Sequence, residues 1–257
     1  MKISGYLIIA ALFTCSCMKE AGAPGDSGAN GKGGSMARFA IKGDLLYTVS
    51  IDSLKLFNIE DAANPIYHPE RDMKVGFEVE TIFPMDSLLF VGSRNGMFVY
   101  DISEPRFPML LSQVTHIRSC DPVVASDNYA YVTLNTMASN CGRSPNNVLH
   151  VYDISNPIEP ILKRTLFMNG PKGLGVDGNK LFVCDRGLKV FDISDPLNIR
   201  QVDDLVDVDE VDIRESYDVI PVDGLLILVA QEGLYQLDYT GDRLKFVSKI
   251  EIKKETP

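Results

Sequence analysis

One phrase returns five times along 257 residues: an apolar strand, a polar turn, then a second apolar run. It is clearest as "GMFVYDISEPRFPMLL" from Gly96, "NNVLHVYDISNPIEPILK" from Asn146 and "RGLKVFDISDPLNIRQV" from Arg186. Looser copies are "DSLKLFNIEDAANPIYH" from Asp52 and "EGLYQLDYTGDRLKFVSK" from Glu232. A unit recurring this often must be one supersecondary element that buries its faces against copies of itself. The copies align on Tyr47, Phe90, Tyr131, Phe182 and Ile227, separated by 43, 41, 51 and 45 residues. The longest step contains the polar insertion Asn135 to Asn147, "NTMASNCGRSPNN".

Each unit holds four strand candidates, in the second copy "VETIFPM" from Val79, "SLLFVGS" from Ser87, "MFVYDI" from Met97 and "PMLLSQV" from Pro108. These runs are aliphatic, β-branched and aromatic, and Gly, Asn, Asp and Pro bound them, which is the signature of short strands. Units of about 40 to 45 residues with four strands each are propeller blades. The predicted fold is therefore all-β, a five-bladed β-propeller of four-stranded antiparallel blades over 36–257. No strand is left over at either end, so the ring is expected to close by packing blade 1 on blade 5 without a shared sheet.

The D-I-S-x-P turn joins third and fourth strands. Asp and Ser accept from amides just downstream, and proline cannot donate to a ladder. Recurrence of Asp101, Asp153 and Asp192 in this setting argues for a structural role over catalysis. Cys184, inside "KLFVCD", reads as a buried small hydrophobe, and His150, in an apolar strand, as a structural histidine. The acidic stretch Asp203 to Glu215 alternates charged and apolar residues, as an edge strand with one wet face does.

The net charge of -10 argues against a nucleic-acid partner, because phosphate binding needs clustered Lys and Arg. The apolar run Ile3 to Phe13 is too short to span a bilayer and reads as the core of a signal peptide over 1–16. Ser16-Cys17 resembles the cleavage and lipidation site of bacterial lipoproteins. Thr14 stands where Leu is usual, and Cys15 is the rival with Leu12 in that position but Phe13 and Thr14 next to the thiol. Lipidated Cys17 then begins a Gly-rich flexible tether over 17–35, "AGAPGDSGANGKGGS" at its core, which has too little apolar surface to fold. Attachment to a membrane without crossing it is the expected outcome.

The phrase "LFVCDRGLKVFDISDP" from Leu181 resembles the LVIVD repeat of bacterial envelope proteins, and "GMFVYDISEP" and "NNVLHVYDISNP" fit the same pattern. The first copy departs at Asn58, Glu60 and Asp61, and the fifth lacks the proline, which is expected to weaken the terminal turns. A lipidation site, a Gly-rich tether and such repeats together resemble lipoproteins of Bacteroidetes-type bacteria. The resemblance implies a cell-envelope, outer-membrane address and no established chemistry.

Propeller geometry gathers the loops between blades and the hairpins between second and third strands on one face. Candidate binding residues there are Glu78, Glu80, Asp121, Lys172, Asp185, Arg186, Tyr217 and Asp218. Cys120, before the first strand of blade 3, and Cys141, in its long insertion, share that face, and a disulfide between them would close a loop of about 20 residues. No cofactor, metal set or nucleophile motif is legible. The reading is a non-enzymatic platform for an envelope protein or glycan. The competing readings are a glycan-acting hydrolase or lyase using Glu78, Glu80, Asp121 and Asp218, and a structural component without a ligand.

Overall fold

The alternation of apolar and polar residues in each repeat is realised as separate antiparallel sheets. The structure, a computed structural model, describes residues 33–76, 78–115, 122–136, 147–208 and 211–252. Blade 2 runs Val79–Met85, Leu88–Ser93, Gly96–Asp101 and Met109–Thr115. Blade 3 runs Val123–Ser126, Tyr129–Leu134, Val148–Asp153 and Ile161–Phe167. Blade 4 runs Leu174–Asp177, Lys180–Cys184, Leu188–Asp192 and Arg200–Leu205, and blade 5 Ser216–Val222, Leu225–Ala230, Gly233–Asp238 and Lys245–Glu251. In each, the strands pair in chain order.

Blade 1 begins Phe39–Lys42, Leu45–Val49 and Ser53–Asn58, but its outer edge is broken into Ile66–Tyr67 and Met73–Lys74. A 3-10 turn at Pro69–Arg71 separates the halves, because Pro69 has no N–H to continue the ladder. The acidic stretch is likewise two elements where one edge strand was expected. The outer strand of blade 4 ends at Leu205, and a separate small hairpin pairs Asp207–Val208 with Val211–Asp212. Asp203 and Asp204 are partly or fully exposed, as wet-face charges should be.

The turns repeat more faithfully than their sequences. The Ser103, Ser155 and Ser194 amides donate to the carboxylates of Asp101, Asp153 and Asp192 at 2.7, 3.0 and 3.0 Å. The divergent copies make the same bond, Glu60 N–H to Asn58 Oδ1 and Thr240 N–H to Asp238 Oδ1, each at 2.8 Å. Asn accepts as Asp does, so the first and fifth turns keep the bond that the sequence departures were expected to weaken. The Ser155 hydroxyl and amide hold Asp153 down to about 2, and the Ser194 bonds do the same for Asp192. At the same end of each blade, in the turns between first and second strands, Gly43, Asp86, Asp127, Gly178 and Asp223 occupy equivalent positions with φ between 48° and 56°. Gly and Asp are the residues that tolerate this left-handed conformation best.

The core is a set of seams. Tyr47 lies in the cluster between blades 1 and 2, Phe90 between 2 and 3, Tyr131 between 3 and 4, and Phe182 between 4 and 5; each is at most 1% exposed. The middle strands of blades 2 to 4 are consequently buried on both faces, with almost no alternation. Ile227, the fifth residue of this series, is only half-buried, and among the described residues no buried cluster spans blades 5 and 1. The second strands of these two blades keep strict alternation of burial. Blades 1 and 5 belong to separate sheets, as expected.

Candidate functional site

What joins the ends of the ring is the chain just ahead of blade 1. Ser35 is fully buried although it belongs to the Gly-rich stretch. Its hydroxyl accepts from Leu174 N–H of blade 4 at 2.7 Å and donates to Asp218 Oδ1 of blade 5 at 3.1 Å. Met36 N–H approaches Asp218 Oδ2 at 3.3 Å, and Val219 N–H donates to Oδ1 at 3.0 Å. The defined contacts therefore start ahead of Met36, where the repeat array was expected to begin. Glycine makes the approach feasible: a Cβ on Gly34 would lie 2.0 Å from Asp218 Oδ2, and one on Gly173 2.7 Å from the Tyr217 carbonyl. Burial pushes the Asp218 carboxyl up to about 6, against hydrogen bonds that favour the anion.

The other described residues of this face are grouped in three sets. Arg94, in the hairpin of blade 2, donates to Glu78 at 2.7 Å and to Glu80 at 3.0 Å. The two carboxylates together push the guanidinium's hold on its proton upward. Glu78 adopts φ 52°, an uncommon conformation for a non-glycine residue, beside this ion pair. Lys172, in the connection to blade 4, reaches Glu215 at 3.0 Å and lies 4.5 Å from the centre of the Tyr217 ring. Tyr217 remains 37% exposed.

Asp185 is not presented to solvent. It is fully buried, accepts from the Asn169 and Gly170 amides at 3.0 and 2.7 Å, and pairs with Lys189 at 2.8 Å. It braces the connection between blades 3 and 4, while the adjacent Arg186, at φ 52°, and Gly187 turn the hairpin. The Arg94 pairing, the burial of Asp185 and the Ser35 contact are tertiary facts that residue order does not carry. Cys184 is fully buried and desolvation raises its thiol pKa, while His150 Nδ1 lies 3.2 Å from the Tyr152 hydroxyl. Cys17, Cys15, Cys120, Asp121 and Cys141 lie outside the described residues.

The second face, carrying the D-I-S-x-P turns, was not singled out by the sequence. Between blades 3 and 4 it holds a cavity of about 430 Å³ lined by Tyr129, Tyr131, Asn128, Asn179, Ser194 and neighbours. Repeat copies differ there in side chains that look interchangeable along the sequence, so no motif marks it.

Three segments match the family described as LVIVD repeat, 88–116, 144–166 and 172–200, in blades 2, 3 and 4. The chain thus carries LVIVD repeats on a five-bladed β-propeller. No curated protein sequence matches it significantly. Among solved structures, a functionally unknown protein of Desulfotomaculum acetoxidans superposes with a TM-score of 0.64 at 12% identity, covering 84% of this chain and 69% of that one. AztD of Citrobacter koseri gives 0.57 at 14%, covering 79% and 58%, so the chain spans well under two thirds of AztD. The periplasmic gluconolactonase PpgL of Pseudomonas aeruginosa gives 0.55 at 17%, covering 82% and 68%. Identities this low establish shared architecture alone.

Proposed function

We propose that this propeller is a non-enzymatic binding platform, held at the bacterial cell envelope by a lipid on Cys17. The observation that carries the reading is the engagement of the acid and base candidates. Glu78 and Glu80 share one guanidinium, and Asp218 lies under Ser35 and Met36. A hydrolase acting by general acid and base needs two carboxyls facing a substrate and held in different protonation states. Here the charges of the face fasten loops to blades, which suits a rigid surface for recognition. The leader, the Gly-rich tether and the LVIVD repeats support the envelope address, with an outer-membrane protein or glycan as partner.

The test takes the full chain from mildly cross-linked envelopes and identifies what accompanies it by mass spectrometry. A stoichiometric partner lost in a Lys172→Ala, Tyr217→Ala double variant supports the platform. Turnover of a lactone or glycan that disappears in Glu80→Gln would overturn it in favour of a hydrolase. Lipid attachment is checked separately by the mass of the N-terminal peptide, with Cys17→Ser expected to abolish it.

A further inference from the structure

Each of three seams carries a side chain that donates to the turn of the next blade. The Tyr47 hydroxyl donates to the Pro105 carbonyl at 2.5 Å, joining blades 1 and 2. Ser112 Oγ donates to the Pro157 carbonyl at 2.7 Å, joining blades 2 and 3. Lys180 Nζ reaches the carbonyls of Tyr239 and Gly241 at 2.6 and 3.1 Å, joining blades 4 and 5. Pro105, Pro157 and Pro196 are the same position of the repeat.

The seam between blades 3 and 4 has the donor and lacks the bond. Tyr131 is the counterpart of Tyr47 and is 1% exposed, yet among the described residues its hydroxyl meets no hydrogen-bond partner. Instead, Tyr131 and Pro196 both line the cavity of about 430 Å³. The phenol therefore has no protein hydrogen bond among the described residues and is available to a molecule in this space. A single water occupies about 30 Å³, so this space is far larger than one bridging water needs and lies in the range of small-molecule sites.

We propose that this cavity is a binding site for a neutral saccharide unit, with the Tyr131 hydroxyl donating to one of its oxygens. The wall chemistry selects that class. Asn128 and Asn179 come from the first turns of blades 3 and 4, and Ser126 and Ser194 add hydroxyls. Amides and hydroxyls both donate and accept, as vicinal sugar hydroxyls require. Tyr129 and Ile193 add apolar surface suited to the C–H face of a sugar ring. The lining contains Asp127 and no Lys or Arg, which opposes an anionic ligand, and one carboxylate is too few for a hard cation. The site lies on the opposite face from Lys172 and Tyr217, so it stands or falls independently of the platform reading.

The probe is a panel of neutral mono- and disaccharides titrated at millimolar concentration into the full chain, followed by ligand-detected and tyrosine-ring NMR. The expected result is saturable binding that moves the Tyr131 ring resonances and leaves those of Tyr47, already bonded to Pro105, in place. Tyr131→Phe is expected to weaken binding about tenfold, the loss of one good hydrogen bond, without lowering Tm. Asn179→Ala, an exposed turn substitution, weakens it independently. Absence of binding across the panel, or binding indifferent to both substitutions, overturns the proposal.

Discussion

Asp218 concentrates the electrostatics of the inter-blade face in one side chain. Its carboxyl is raised from 3.8 to about 6 by burial, so the folded chain retains a proton that the unfolded chain releases. Stability from this group is complete below the unfolded value and is lost as pH rises through the folded one, a change of about 3 kcal/mol. Urea midpoints taken between about pH 4.5 and 7.5 should therefore fall for the native chain relative to Asp218→Asn. Parallel curves would refute the shift. Gly173→Ala should cost about 1 to 3 kcal/mol by overpacking, because the new Cβ meets the Tyr217 carbonyl and Asp218 Cα at 2.7 Å, and backbone yields little. Thermal unfolding checks this directly.

At the scale of elements, the repeat is a turn and a bridge as much as a set of strands. Blades 2 to 5 all shift register between third and fourth strands, at Val99/Tyr100, Val151/Tyr152, Val190/Phe191 and Gln236/Leu237. Each such irregularity places one extra residue, Leu111, Lys163, Val202 or Val247, on the outer strand and bends it just after the turn. Removing a bridge should loosen one seam: Tyr47→Phe and Ser112→Ala are each expected to lower stability by about 1 kcal/mol. An equal effect of Tyr131→Phe in the absence of ligand would mean that its hydroxyl is bonded after all. The strands, their order and the Asx turns were legible in the phrase itself, because they follow from local patterning. The broken outer edge of blade 1 was partly legible in Pro69, whereas the left-handed first turns alternate between Gly and Asp, residues common in every loop of this chain, and were not.

For the whole molecule, the seam between blades 5 and 1 sets the weakest link. Four seams are sealed by buried clusters, while Ile227, Leu46 and Thr48 are only half-buried. Repeat arrays draw stability from nearest-neighbour interfaces, so blades with one poorly covered face open first. Native-state hydrogen exchange should show amides in the middle strands of blades 1 and 5 opening at lower free energy than those of blades 2 to 4. Uniform protection around the ring would contradict this. Ser35 and Asp218 make a polar join at this seam, and Ser35→Ala is expected to sharpen the contrast by leaving Leu174 N–H without its acceptor.

Residue order by itself determined the number of blades, the strands in each and the turns between them, since these rest on short-range alternation and on Asp, Asn and Pro acting within a few residues. It also indicated which loops share a face. Which charges on that face pair, and which side chains are buried there, was decided by the tertiary structure alone. Arg94 neutralises two carboxylates, and Ser35 crosses 183 positions of sequence to reach Asp218. The cavity beside Tyr131 exists for the same reason: among the described residues the seam between blades 3 and 4 lacks a bond that the seams on either side of it make, and such a difference is a property of two blades in contact.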